Sequence, residues 1–218
     1  MQQGFKRKII SEEMTEIVKT NIDPKKEFVQ GISPLGFHKM IYREWGDKNN
    51  PNVLVCVHGF GRNSNDFDYL AWGLQEDIRV ICPDVIGRGD SDYIGAPSVY
   101  TTVQYVNDMV TLLARLNAKN LYWLGTSMGG IIGMILASQP KTPIKKLILN
   151  DVGTIIPYTA VQRILKIYSA ENYEFSNPED AMANLRSKLG TFGIVKPEHW
   201  DYMFEHNFKK NQGRDVSI

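Results

Sequence analysis

Five residues, Gly125-Thr126-Ser127-Met128-Gly129, constrain this chain more than any other stretch of it. They follow the apolar run Leu121-Tyr122-Trp123-Leu124 and precede Ile131-Ile132-Gly133-Met134-Ile135-Leu136-Ala137, a run that suits a helix. A G-x-S-x-G between a strand and a helix is a nucleophile elbow, a turn so tight that the serine is strained and its hydroxyl stands clear of the sheet. Both glycines follow from sterics, because a side chain at either would strike the adjoining strand or helix. The pattern names an atom, the Ser127 oxygen, and a class of reaction.

The flanking sequence alternates strand and helix from residue 37 to residue 151, which predicts an α/β protein with a mostly parallel sheet covered on both faces. Strands are expected over 37–45, 53–57, 78–82, 121–124 and 146–150, with helices near 66–74 and over 101–116. In the second helix Val103, Val106, Val110, Leu113 and Leu116 recur at helical spacing and predict the buried face. Leu147-Ile148-Leu149 reads as a strand buried on both faces. After Asp151 the pattern changes. Pro157, Asn177-Pro178 and Pro197 open three helices with no strand between them, which reads as an inserted helical cap. The expected division is an N-terminal extension over 1–36, an α/β core over 37–153 and the cap over 154–218.

Composition narrows the partners. A formal charge of +1 with no long basic run excludes a nucleic-acid surface, and no stretch approaches the ~20 apolar residues of a membrane span. Lys6, Arg7 and Lys8 are followed by Ser11-Glu12-Glu13, not by an apolar core, so no secretory signal is read there. Cys56 and Cys82, each inside a strand-like run, read as reduced core thiols, and the expected compartment is the cytoplasm. No metal or organic cofactor is implied.

A serine hydroxyl needs a base for its proton and a site for the charge its attack creates. Met128, the residue after the nucleophile, offers a backbone N–H at a helix start, where the dipole also favours negative charge. The loop His58-Gly59-Phe60-Gly61 follows an earlier strand, and the Phe60 N–H is the expected second donor.

With His58-Gly59-Phe60-Gly61, Asp84-Val85-Ile86-Gly87-Arg88-Gly89-Asp90-Ser91 and Gly125-Thr126-Ser127-Met128-Gly129-Gly130 in place, the stretch from 37 to 151 resembles the α/β-hydrolase fold superfamily. The resemblance implies Ser127 as nucleophile, Phe60 and Met128 as oxyanion-hole donors, a structural His58, and a helical cap that shapes the pocket. Arg88-Gly89-Asp90 then belongs to a strand-to-helix loop, with an ion-pairing or capping role. Gly59-Phe60-Gly61 is no dinucleotide fingerprint, since Ser64 stands where its third glycine would be.

In this superfamily the triad order is Ser, then Asp or Glu, then His, with the acid and histidine on loops after later strands. Here Asp151, at the end of the 146–150 strand, is the candidate acid, and His199 and His206 both fall in the cap. The resemblance leaves the last two core strands without a counterpart, so 146–150 is expected to form an exposed apolar edge. A truncated copy, a split gene or a partner chain completing the sheet would each account for this. The expected activity is hydrolysis of a small ester or related acyl compound, without activity from this chain alone. The alternatives are C–C bond hydrolysis on the same scaffold and a non-catalytic binding or scaffold protein. Tyr158 and Trp200 are the expected pocket residues, for a substrate with an apolar portion.

Overall fold

The computed structural model describes residues 24–169, 174–175, 177–211 and 214–217. Lys6, Arg7 and Lys8 lie outside them. Six strands form the main sheet: β1 (Lys25–Ser33), β2 (Gly36–Trp45), β3 (Asn52–Val57), β4 (Arg79–Pro83), β5 (Asn120–Thr126) and β6 (Ile144–Asn150). Their order is β1-β2-β4-β3-β5-β6; β1, β2 and β4 pair antiparallel, and β4, β3, β5 and β6 run parallel. The parallel strands are linked by α1 (Asp68–Leu74, after a 3₁₀ turn over Ser64–Phe67), α2 (Thr102–Leu116) and α3 (Met128–Ala137).

The sheet begins earlier than expected. β1 lies inside the segment read as an extension before residue 37, and pairs with β2 from Lys25↔Glu44 to Ser33↔Gly36. The hairpin closes through Pro34 and Leu35 onto Gly36, whose φ of 108° is open to glycine alone at little cost. The Leu35 N–H donates to Ser33 Oγ at 3.2 Å, which braces the turn.

β3 and β4 are buried along nearly their whole length, as the apolar runs require. Cys56 and Cys82 are both free and fully buried, and burial pushes the Cys82 thiol well up. In α2 the buried face differs from the expected one. Tyr105, Met109, Leu112 and Leu116 point inward, while Val103 and Val110 are exposed. The reason is polar: Gln104 and Asp108 lie on the inward side, where Asp108 Oδ1 meets His38 Nε2 at 3.0 Å and accepts from Gln104 Nε2 at 3.0 Å. A buried hydrogen-bonded cluster of this kind occupies the inward side of the helix in place of the face a hydrophobic count selects.

β6 ends the sheet, so the strand read as buried on both faces instead has Ile148 49% exposed and only Ile144 buried. Beyond it come α4 (Tyr158–Ser169), α5 (Pro178–Leu189) and α6 (Pro197–Asn207). Asn177 caps α5, accepting the Asp180 N–H at 2.8 Å, as its sequence predicts. The absence of strands in this region is corrected: β7 (Glu174–Phe175), β8 (Phe208–Asn211) and β9 (Arg214–Ser217) form a separate small sheet in the order β7-β9-β8. Among the described residues no helix is long and apolar enough to cross a membrane.

Candidate active site

Ser127 stands between β5 and α3 with φ 48° and ψ −109°, a conformation that costs a non-glycine residue on the order of 1–3 kcal/mol. Its neighbours enforce the turn. A Cβ on Gly125 would lie 2.3 Å from the Gly129 carbonyl carbon, and one on Gly129 would lie 2.1 Å from the Val57 carbonyl oxygen. Trp123 adds a clamp, its indole N–H donating to the Gly129 carbonyl at 3.0 Å. The Ser127 N–H donates to the Asn150 carbonyl at 2.9 Å, tying the elbow to the end of β6.

The loop after β3 meets the elbow directly, since a Cβ on Gly59 would sit 3.8 Å from the Ser127 Cβ. That places the Gly59–Phe60 peptide beside the serine. Met128 opens α3, where an N–H has no intrahelical acceptor. Among the described residues neither the Phe60 nor the Met128 N–H is taken up by another protein group.

His58 is fully buried, and its bonds fix its state. The Val85 N–H donates to Nε2 at 3.0 Å, so Nε2 is bare and the proton sits on Nδ1, which donates to the Gly59 carbonyl at 2.8 Å. Burial pushes the imidazole below its ordinary 6.5. His58 is therefore a brace between the β3 and β4 loops. Its depressed value gives stability that is present above pH 6.5 and lost as pH falls, with a slope approaching about 1.4 kcal/mol per pH unit. Asp68 and Asp108, raised by burial, titrate with the opposite sign from 3.8 upward. NMR isolates the histidine: its ring resonances are expected to remain those of neutral imidazole just below pH 6.5, where the unfolded chain takes up the proton and denaturation midpoints begin to fall.

The other three histidines have other neighbours. His38 pairs with Asp108, His199 lies against Tyr69 with ring centroids 5.3 Å apart, and His206 stacks on Tyr202 at 4.1 Å with Nδ1 2.7 Å from the Tyr202 carbonyl. Among the described residues none of the four bonds to Ser127. Asp151 is exposed with φ 54°, flanked by Asn150, which accepts the Ser127 N–H, and Val152, whose side chain crowds Gly130.

The structure separates the expected pocket residues. Tyr158 is 73% exposed. Trp200 is buried with Leu185 and Leu189, and its ring lies 5.3 Å from the Arg186 guanidinium; it packs the C-terminal helices together. Tyr168, from α4, instead reaches the loop, its ring edge-on to Phe60 at 5.3 Å. A Cβ on Gly61 would meet its hydroxyl at 2.2 Å, and a cavity of only about 20 Å³ remains beside it. Nothing in the α4 sequence separates Tyr168 from Tyr158, the other aromatic residue of that helix. Asp84 stitches the remaining motif, accepting from the Ser64 N–H at 2.7 Å and the Asp90 N–H at 3.0 Å, while Asp90 pairs with Lys26. Among the described residues no group of His, Cys, Asp and Glu is arranged to hold a metal.

A six-stranded mixed sheet with a strained serine at its β5–α3 turn defines a known class, and comparisons agree. Residues 52–216 match the family model for the α/β hydrolase fold, and the chain belongs to that family. It is 48% identical over 192 residues to a 3-hydroxybutyrate-oligomer hydrolase of Cupriavidus necator, a match covering 88% of this chain and 65% of that protein. A putative hydrolase from Rickettsia typhi superposes with a TM-score of 0.83 at 34% identity, over 90% of this chain and 71% of the other. An α/β hydrolase from Novosphingobium aromaticivorans follows at 0.76 and 31%, over 90% and 69%. The chain thus spans just under two thirds of its Cupriavidus relative.

Proposed function

We propose that this chain carries the nucleophile and oxyanion hole of a serine hydrolase that cleaves a small ester with an apolar portion. The observation that carries this reading is the positive φ of Ser127, held by two glycines that cannot accept a side chain, with the Gly59–Phe60 peptide alongside. Strain of that kind persists only where the surroundings over-determine it.

In the proposed reaction Ser127 Oγ attacks the ester carbonyl as a base removes its proton. The carbonyl electron pair moves onto oxygen, where the Phe60 and Met128 N–H groups stabilise it. Collapse expels the alcohol, which takes the proton back, and water then releases the acid from the acyl-enzyme by the same steps. Asp151 is the proposed acid, orienting a histidine contributed from outside the described residues, whether by a further segment or by a second chain. The Cupriavidus relative is named for oligomers of 3-hydroxybutyrate, so short esters of hydroxy acids are the first substrates to try.

Fluorophosphonate labelling, read as a mass shift on the Ser127 peptide, tests the reading. Labelling of a form extended by the missing base, with this chain alone inert, is the expected result. No labelling in either form would overturn it. A ligand-binding protein without turnover is the second reading, favoured because among the described residues no histidine is bonded to Ser127. Saturable binding of a 3-hydroxybutyrate dimer without release of monomer, in the extended form, would decide for it.

A further inference from the structure

The loop that holds Phe60 has a mechanical weakness. Gly59 and Gly61 flank it, so the peptides on either side can rotate freely unless something holds them. The Gly59 carbonyl is held twice, by His58 Nδ1 at 2.8 Å and by the Arg62 N–H at 3.2 Å. The Phe60 carbonyl is held from elsewhere, by Arg88 Nε at 3.1 Å.

Arg88 is well placed to serve as a fixed point. Its Nη1 donates to the Ile86 carbonyl at 2.9 Å and to the Tyr105 hydroxyl at 2.8 Å, and Tyr105 is a buried residue on the core face of α2. Its guanidinium also lies 5.0 Å from the centre of the Phe60 ring, and 5.3 Å from that of Tyr105. One planar cation therefore bonds the Phe60 carbonyl, packs on the Phe60 ring and is anchored in the core. A lysine has neither the rigid fork nor the flat face that this combination uses.

Resting on the proposed hydrolase reading, the geometry points to Arg88 as a positioning residue that holds the Phe60 N–H in its oxyanion-binding orientation, with Tyr105 as its anchor. Arg88 makes no contact with the reacting atoms. The two bonds on the Gly59 carbonyl orient the peptide that carries the Phe60 N–H, and Arg88 holds the peptide on the other side and the ring, so Phe60 is fixed from both sides before substrate arrives. Preorganised donors of this kind stabilise developing charge without reorganisation. The middle residue of the Arg88-Gly89-Asp90 tripeptide is then explained too: a Cβ on Gly89, whose φ is 54°, would lie 2.3 Å from the Asp84 carboxyl carbon, so the loop can pass close enough to aim Arg88 at Phe60.

Two measurements on Arg88→Ala, Arg88→Lys and Tyr105→Phe test this, both on the active form of the protein. Hydrogen exchange of the segment 58–61 is expected to quicken about 10-fold or more in Arg88→Ala, with β3 and α3 unchanged. The maximal rate of fluorophosphonate reaction at Ser127 is expected to fall about 10–100-fold with the probe's reversible affinity unchanged, since misplacing a donor costs rate and not ground-state binding. Arg88→Lys and Tyr105→Phe should fall between Arg88→Ala and wild type in both. Unchanged exchange at 58–61, or weaker reversible affinity at an unchanged maximal rate, would overturn the role. Should wild-type Ser127 fail to react at all, the hydrolase reading falls, and the exchange data still decide whether Arg88 holds the loop.

Discussion

Gly129→Ala is expected to remove at least ~4 kcal/mol of folding stability, a large share of the roughly 5–15 kcal/mol typical of a domain. The added methyl would lie 2.1 Å from the Val57 carbonyl oxygen and 2.6 Å from its carbon. Those are backbone atoms of the last residue of β3, registered with Gly125 of β5, so no side-chain rotation relieves the overlap. α3 would have to lift off β3, taking the Trp123–Gly129 hydrogen bond with it. Gly73→Ala is the control. Nothing lies within 4 Å of its Cβ position in α1, and a gain of about 0.5–1 kcal/mol is expected from lower unfolded-state entropy. Urea denaturation of the two variants should move the midpoint in opposite directions. Equal stability of Gly129→Ala and wild type would mean that α3 does not pack on β3 as described.

The second large effect concerns Ser127. In an active form, Ser127→Ala is expected to lower turnover by about 10⁶-fold, the scale seen when a catalytic serine is removed from a triad enzyme. Ser127→Gly should lose as much activity and yet unfold at higher denaturant than Ser127→Ala. A glycine meets φ 48° without the cost that alanine or serine bears there. Comparing the two variants separates the chemistry of the hydroxyl from the strain of its backbone. Retained turnover in Ser127→Ala would remove the serine from the mechanism.

Much of this was readable from residue order. The elbow was legible because two glycines at fixed spacing around Ser127 have a steric explanation, and the structure supplies both collisions. Asn177 and Pro178 announced α5 because a cap acts locally. What failed depended on distant partners. The buried face of α2 departs from the hydrophobic spacing because the inward Asp108 meets His38, 70 residues away. β1 was missed because its sequence, KKEFVQGIS, alternates poorly and becomes a strand by pairing with β2. Trp200 looked like a pocket wall because an aromatic side chain reads the same in a pocket and in a helix–helix contact. The sequence assigns Arg88-Gly89-Asp90 an ion-pairing or capping role in its loop but no partner for Arg88, since the reach to the Phe60 carbonyl exists only once β3 and β4 lie side by side.

The hydrogen bond from the Ser127 N–H to the Asn150 carbonyl joins the elbow serine to the last residue of β6. A residue at positive φ keeps that conformation only while its surroundings hold it, so the end of β6 is one of the supports of the elbow. A change that frays β6 at Asn150 therefore loosens the backbone of Ser127 without touching its side chain.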